Sequence, residues 1–204
     1  MWIYILQGIG YGFAAAAQPG PLQTYIISQA LVRGWKKSLP AAFAPLISDG
    51  PIIALCLLAL SQVPSWFQKF LYVAGGLFVL YLAYGTYRSW RDFETNTTVT
   101  ETSAQQSVFK AAFVNVLSPG PYIFWSLVTG PILVAGWREN PAWGFAFMVG
   151  FYVTFILSLM VIIFVFSFMR NLGNTVRRVL LGISAAALFC FGLYQLWKGL
   201  LGRF

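Results

Sequence analysis

Apolar stretches long enough to cross a lipid bilayer recur along the whole chain, and they constrain its fold more than any other feature. Only 9% of the residues are charged and 59% are hydrophobic, whereas a soluble domain carries roughly 25% charged residues. In the hydrocarbon of a bilayer every backbone polar group must be paired inside the protein, which leaves helices and closed barrels. The lengths of the apolar stretches fit helices, so we expect an all-α membrane protein.

Six membrane-spanning helices are predicted, three on each side of a polar linker. Because each half has an odd number of spans, the halves insert in opposite orientations and form an inverted repeat. The predicted spans cover residues 2–32, 39–60, 67–90, 108–135, 143–168 and 179–200. The expected domains are a first three-helix repeat at 1–91, a polar cytoplasmic linker at 92–107 and a second three-helix repeat at 108–204.

A Pro-Gly-Pro triplet interrupts the first span of each half. The first is Gln18-Pro19-Gly20-Pro21, and Ser118-Pro119-Gly120-Pro121 is its counterpart. Each triplet removes two backbone donors and adds a glycine, so a regular helix cannot continue through it. Two breaks at matching positions are typical of a transporter built from two repeats, with its binding site at the breaks. The alternative is that each break is a kink that only shapes packing.

A new helix is expected to begin after each break, with Pro21 or Pro121 in an early helical position. Its first N–H groups are unpaired and carry the positive end of the helix dipole, which attracts a carboxylate or phosphate. Gln18 and Asn115 lie at, or within one turn of, a break. We therefore favour them among the nearby polar residues as part of a substrate path, with interhelical hydrogen bonds as the alternative.

Asp49 is the acidic residue that falls in the middle of a predicted span, whereas the other four of the five acids fall in loops. An ionised Asp at the centre of a membrane helix costs about 2.5–3.5 kcal/mol on the insertion scale. Since no Lys or Arg is expected at the same depth, the carboxyl should bind a proton or face a cation or water. The alternative is a neutral Asp bonded to a carbonyl freed by Pro45 or Pro51.

The distribution of basic residues predicts that both termini lie outside the cytoplasm, because cytoplasmic loops carry the excess of Lys and Arg. The odd-numbered loops hold Arg33, Lys36, Lys37, Arg88, Arg91, Lys110, Arg170, Arg177 and Arg178, and the even-numbered loops and tail hold Lys69, Arg138, Lys198 and Arg203. The net charge of +8 then reflects the anionic cytoplasmic leaflet. No nucleic-acid partner is expected.

Catalytic and metal-binding motifs are absent from the sequence. It has no His and two separated cysteines, Cys56 and Cys190, so no metal site and no cofactor are expected. It also lacks Gly-x-Ser-x-Gly, His-Glu-x-x-His and a glycine-rich phosphate loop. We therefore expect a protein that is not an enzyme.

Several motifs together resemble the lysine exporter (LysE/RhtB) family of bacterial translocators. They are Pro19-Gly20-Pro21, the basic turn Arg33-Gly34-Trp35-Lys36-Lys37, and Ser48-Asp49 in the second span. Asn115-Val116-Leu117-Ser118-Pro119 is similar to the family's Asn-x-x-Asn-Pro stretch. The resemblance covers essentially the whole chain. It implies export of amino acids and related small molecules, driven by ion gradients.

The sequence and the resemblance together predict an inner-membrane secondary transporter for a small zwitterionic metabolite, working by alternating access with proton coupling. The predicted substrate-binding residues are Gln18, Pro19, Gly20, Pro21, Asp49, Asn115, Ser118, Pro119, Gly120 and Pro121, with Asp49 also the proton or cation site. A homodimer is expected from the small-residue faces at Gly75, Gly76 and Gly182. The alternatives are a metal or other ion permease and a membrane scaffold without transport activity.

Overall fold

The computed structural model describes residues 1–18, 20–58, 65–91, 104–169 and 173–201. The described residues form helices joined by short connections and contain no strand, which confirms the all-α prediction. The α-helices are α1 (Trp2–Ala17), α2 (Pro21–Arg33), α3 (Trp35–Ser38), α4 (Ala44–Leu58), α5 (Ser65–Arg91), α6 (Ala104–Leu117), α7 (Pro119–Phe124), α8 (Gly130–Glu139), α9 (Pro141–Met169) and α10 (Asn174–Leu201). A 3-10 turn (Leu39–Phe43) joins α3 to α4, and a π turn (Trp125–Thr129) joins α7 to α8.

Four helical stretches of the described chain are long and apolar enough to cross a membrane: Trp35–Leu57, Lys69–Arg91, Pro141–Met169 and Asn174–Leu201. A fifth is added if Gln106–Leu117 and Pro119–Glu139, which meet at 58°, form one broken span. The chain is therefore a multi-pass membrane protein. The sixth span requires α1 and α2 to cross together, so the six-span count and the inverted repeat stay predictions.

Both helix breaks occur at the Pro-Gly-Pro triplets. At the first break α1 ends at Ala17 and α2 begins at Pro21, as expected; Pro19 lies outside the described residues. At the second break α7 begins at Pro119, within the triplet and not after it, and Pro121 is its third residue, an early helical position as expected. Ser118, in the position before the helix, has an extended backbone and makes no side-chain capping hydrogen bond. The helix can start at Pro119 because a proline is tolerated throughout the first turn, where N–H groups have no helical partner.

The end of the predicted linker is helical, because α6 begins at Ala104. Ser107 is fully buried there, and Arg33 Nη1 donates a hydrogen bond to its hydroxyl over 2.8 Å. This contact ties the end of α2 to the start of α6. Residues 92–103 lie outside the described part of the chain, and the division into two repeats stays a prediction.

Helix α1 packs on α9 through a face of small residues. Its buried positions recur every fourth residue, at Tyr4, Gly8, Gly12 and Ala16, which is the spacing of one helix face. A Cβ at Gly8 would overlap the carbonyl of Phe147 in α9, and a Cβ at Gly12 would overlap the carbonyl of Phe151 one turn later. The two backbones therefore approach as closely as small residues allow.

Helix α5 packs on α10 in a similar way, and this changes the basis of the dimer prediction. A Cβ at Gly75 would meet the Leu117 carbonyl, and one at Gly76 would meet Leu196 and the backbone of α10. Gly182 lies against the indole of Trp90. The glycines from which a dimer was expected thus make contacts within the chain, and the homodimer itself stays a prediction without this support.

The far end of α2, opposite the first break, is held by α10. Arg177 donates hydrogen bonds from Nε to the Leu31 carbonyl over 3.0 Å and from Nη2 to the Val32 carbonyl over 3.3 Å. Carbonyls in the last turn of a helix have no helical partner and carry the negative end of the dipole. Arg177 therefore caps the last turn of α2 and holds it against α10. The sequence predicts that this end of α2 lies on the cytoplasmic side.

Arg177→Met is expected to destabilise the protein by about 1 kcal/mol, because the last carbonyls of α2 lose a charged donor. The measurement is the apparent melting temperature of the purified protein in detergent. Arg178→Met is the matched control, since the Arg178 guanidinium lies 5.8 Å from the Trp90 ring centre, whereas the Arg177 guanidinium donates to the Leu31 and Val32 carbonyls. An equal loss in both variants would contradict the capping role of Arg177.

Candidate functional site

A cavity of about 250 Å³ lies where the two helix breaks meet. Its walls come from both halves of the chain and include the ends of α1 and α6 and the starts of α2 and α7. The lining residues are Ala15, Gln18, Gly20, Pro21, Leu22, Gln23, Asp49, Tyr72, Asn115, Ser118, Pro119, Gly120, Pro121, Phe124, Trp125, Phe151, Phe155, Phe191, Tyr194 and Gln195. The cavity thus combines polar groups at the breaks with aromatic walls.

The structure brings nine of the ten predicted binding residues to this one cavity. The tenth, Pro19, lies outside the described residues. Asp49, from the middle of a span, lines the same space as both breaks. Whether these residues bind a substrate stays a prediction.

Asp49 is the centre of a buried polar network between the two halves. It is 3% exposed and accepts a hydrogen bond from Asn115 Nδ2 over 2.6 Å and one from the Tyr152 hydroxyl over 3.3 Å. Asn115 Nδ2 also donates to the Ser48 hydroxyl over 2.8 Å. The Trp125 indole lies close enough to interact with the same carboxyl. The network joins α4 to α6, α9 and the π turn through one side chain.

The first break leaves backbone donors in two residues that line the cavity, Leu22 and Gln23. Gln23 Nε2 donates to the Ala15 carbonyl over 3.0 Å, so this side chain bridges the break from α2 back to α1. Thr24 donates to the Gly20 carbonyl from both its backbone and its hydroxyl, which closes the first turn of α2. The N–H groups of Leu22 and Gln23 precede that first helical bond and have no partner within the helix. They offer a positive site to an anion.

The second break offers fewer donors than the sequence suggested. Pro119 and Pro121 have no N–H, so Gly120 carries the free N–H in the first three positions of α7. Ser118 uses its own donors within the chain: its hydroxyl bonds the Val114 carbonyl over 2.6 Å and its backbone N–H bonds the Asn115 carbonyl over 3.2 Å. The two breaks are therefore unequal: the start of α2 has two N–H groups without a helical partner and the start of α7 has one.

The π turn aims Trp125 at the centre of the site. It forms where Gly130 donates to the Trp125 carbonyl five residues earlier, just before Pro131, which has no N–H to continue the regular pattern. Trp125 is 2% exposed, its ring centre lies 5.2 Å from that of Phe151, and it stacks on Tyr152 at 6.5 Å. Single π turns within helices are frequent at functional sites.

The side chains of the site that were not predicted from the sequence include Tyr72, Trp125, Tyr152 and Gln195. Gln195 had the same signal as Asn115, a polar side chain within a predicted apolar span, but it lies far along the chain from either triplet. The three aromatic residues had no distinguishing signal, because aromatic residues make up 18% of the sequence. They became recognisable only once the helices were packed around Asp49.

The arrangement provides a buried carboxyl, free N–H groups at a helix start and an aromatic enclosure, which suits a small molecule with charges of both signs. The family model for the LysE type translocator matches residues 13–199, nearly the whole chain. The match includes both triplets and Asp49. No curated protein sequence and no solved structure matches the chain.

Proposed function

Since the chain belongs to the LysE type translocator family, we propose that it exports amino acids or related small zwitterionic metabolites across the bacterial inner membrane. The family match confirms the resemblance seen in the sequence motifs. Members of this family are translocators and not enzymes, so the chain is a membrane transporter. The substrate, the coupling ion and the direction of transport are the parts that we propose.

One observation carries the proposal: a single cavity touches Asp49 and both helix breaks. Broken helices that meet near the middle of the membrane supply binding groups that an intact helix would keep in its own hydrogen bonds. A scaffold without transport activity would have dry, packed breaks. The cavity therefore favours transport over the scaffold alternative.

The proposed substrate pose follows from the charges around the cavity. The carboxylate lies at the start of α2, against the N–H groups of Leu22 and Gln23, and Gly120 adds a donor from the other half. Asp49 receives either the substrate ammonium or the coupling proton. Because Asp49 is bonded to Asn115 from the opposite half, a change of its charge would alter the contact between the halves.

The helix pairing supports alternating access by two opposed halves. Helix α1 packs on α9, and α4 packs on α6, so each broken span contacts the other half. Helices α5 and α10, the last of each predicted repeat, pack on each other. Under the proposed inverted repeat these are corresponding pairs, and rocking one half on the other would open the cavity to each side in turn. In this proposal both termini lie outside the cytoplasm, as the distribution of basic residues predicts.

An ion permease is the weaker alternative. A site for a divalent or transition metal would need several carboxylate, imidazole or thiolate ligands. Of the residues that line the cavity, Asp49 alone carries an acidic side chain. An organic zwitterion needs only one such group and is the better fit.

The test begins with metabolite profiling of cells that express or lack the protein, which identifies the compound that leaves the cell. The purified protein in liposomes should then transport that compound when a proton gradient is applied. Empty liposomes and liposomes carrying a heat-inactivated sample are the controls. No difference in any small metabolite, together with no flux in liposomes, would reject a transport role for amino acids and their relatives.

A further inference from the structure

The part of the cavity formed by α10 contains a buried acceptor that the proposed function does not use. Gln195 lines the cavity and is 5% exposed. Its Oε1 atom has no hydrogen-bond partner among the described residues. A buried oxygen without a donor costs free energy, so such an atom on a residue that lines a cavity indicates a ligand that brings a donor.

A second acceptor lies beside Gly75, next to Gln195 Oε1. The Leu117 carbonyl belongs to the last turn of α6, where carbonyls have no partner within the helix. It lies against Gly75, and the position that a Cβ of Gly75 would take is 3.0 Å from Gln195 Oε1. The negative end of the α6 dipole therefore reinforces the side-chain oxygen, and this end of a helix favours a cation.

Two tyrosines of the cavity already bind an ammonium group. The Lys198 Nζ atom lies 5.4 Å from the ring centre of Tyr72 and 5.9 Å from that of Tyr194. Both distances are within the range of a cation–π contact. Tyr72 and Tyr194 line the cavity, and Gln195 follows Tyr194 in α10. The chain's own lysine thus shows which chemical group these two rings accept.

Asp49 is less open to a new donor than Gln195. One carboxyl oxygen of Asp49 receives Asn115 and the other receives Tyr152. An ammonium group that entered the cavity would have to displace or share these contacts. At Gln195 it would meet an acceptor without any partner.

We infer that Gln195, Tyr72 and Tyr194 bind the ammonium group of the substrate, and that Lys198 competes with it for the two rings. The inference rests on the proposed function and assigns roles within it: the ammonium lies at α10, the carboxylate lies at the start of α2, and Asp49 is left for the coupling proton. The substrate class is a primary amine that also carries a carboxylate. Gln195 is then a specificity-determining residue.

The test uses n-butylamine as a probe, because it carries an ammonium group without a carboxylate and needs no knowledge of the substrate. Binding to the purified protein is followed by tryptophan fluorescence and by the shift in melting temperature. Gln195→Met should weaken binding about 10- to 100-fold, the value of a hydrogen bond to a charged group. Lys198→Met should strengthen it about two- to fivefold by removing the competing ammonium.

Matched controls exist for both variants. Gln7 also has a buried Oε1 without a partner among the described residues, and Lys110 also lies over a tyrosine ring, Tyr81, at 5.8 Å. Neither lines the cavity, so Gln7→Met and Lys110→Met should leave n-butylamine binding unchanged. Gln195→Met should lower the melting temperature no more than Gln7→Met does, because in both variants the oxygen that is removed has no partner among the described residues; a glutamine with a merely structural role would lower it more.

The outcomes separate this inference from the proposed function. If the wild type binds n-butylamine and the two variants shift binding in opposite directions, the inference stands. If the wild type exports an amino acid but does not bind the probe, or if Gln195→Met and Lys198→Met leave binding unchanged, the inference is overturned and the transport function remains. If the probe binds as expected but no metabolite is transported, the proposed function fails while the ammonium site stands.

Discussion

Asp49→Asn is expected to reduce proton-driven flux about 10- to 100-fold while leaving the protein folded. The substitution keeps the size of the side chain. The oxygen of the new amide can still accept the hydrogen bond from Asn115. Its NH₂ group can donate to the Tyr152 hydroxyl, which in the wild type donates to the carboxyl. What it removes is the ability to gain and lose a proton. The hydrogen bonds that remain are neutral, whereas those to the ionised carboxylate are charge-assisted. This difference sets the expected size of the loss of flux.

The measurement is flux in liposomes under two conditions. With a proton gradient, the variant should transport slowly; with substrate on both sides and no gradient, exchange of labelled for unlabelled substrate should persist. This pattern identifies a coupling group, because exchange needs binding but no net proton movement. Loss of both activities with an unchanged melting temperature would instead place Asp49 in substrate binding. Unchanged gradient-driven flux would remove Asp49 from the mechanism.

A conservative change at Tyr152, one of the hydrogen-bond donors to Asp49, tests whether the hydrogen-bond network or the proton on Asp49 matters for flux. Tyr152→Phe removes one donor to the carboxyl but leaves the acid in place. It should therefore reduce proton-driven flux less than Asp49→Asn. Equal losses in the two variants would indicate that the geometry of the network, and not the proton, is what the site requires.

The features that could be predicted from the sequence are those that local chemistry dictates. Proline lacks an N–H wherever it is placed, so the breaks near Pro21 and Pro119 followed from the positions of the two triplets in the sequence. Asp49 was conspicuous because a carboxyl within an apolar stretch is costly wherever the helix packs. Most of the predicted binding residues came from these two kinds of signal, and in the structure nine of the ten line one cavity.

The features that could not be predicted depend on which helices meet. The sequence shows that Gly75 and Gly76 allow close packing, but not that their neighbours are α6 and α10 of the same chain instead of a second copy. Trp125 lies in a π turn that forms before Pro131, and no pattern in the sequence distinguishes such a turn from regular helix. The unpaired oxygen of Gln195 is visible only once its surroundings are known.

The packing of α1 on α9 leads to the largest expected effect on stability. Gly12→Val should destabilise the protein by about 1–3 kcal/mol or more, the usual cost of overpacking. A Cβ at Gly12 would overlap the carbonyl of Phe151, and backbone in the middle of α9 cannot move aside as a flexible side chain could. Because Phe151 also lines the cavity, the displaced helix would distort the first break as well.

Gly10→Val is the matched control on the same helix. A Cβ at Gly10 meets nothing within 4 Å, so the change in helix propensity is the same as at Gly12 but the clash is absent. Melting in detergent should show a clear loss for Gly12→Val and a shift within about 0.5 kcal/mol for Gly10→Val; flux should follow the same order. Equal losses in both variants would mean that helix propensity, and not contact with α9, explains these glycines. A difference confined to Gly12 would establish that the closeness of two backbones holds the wall of the cavity in place.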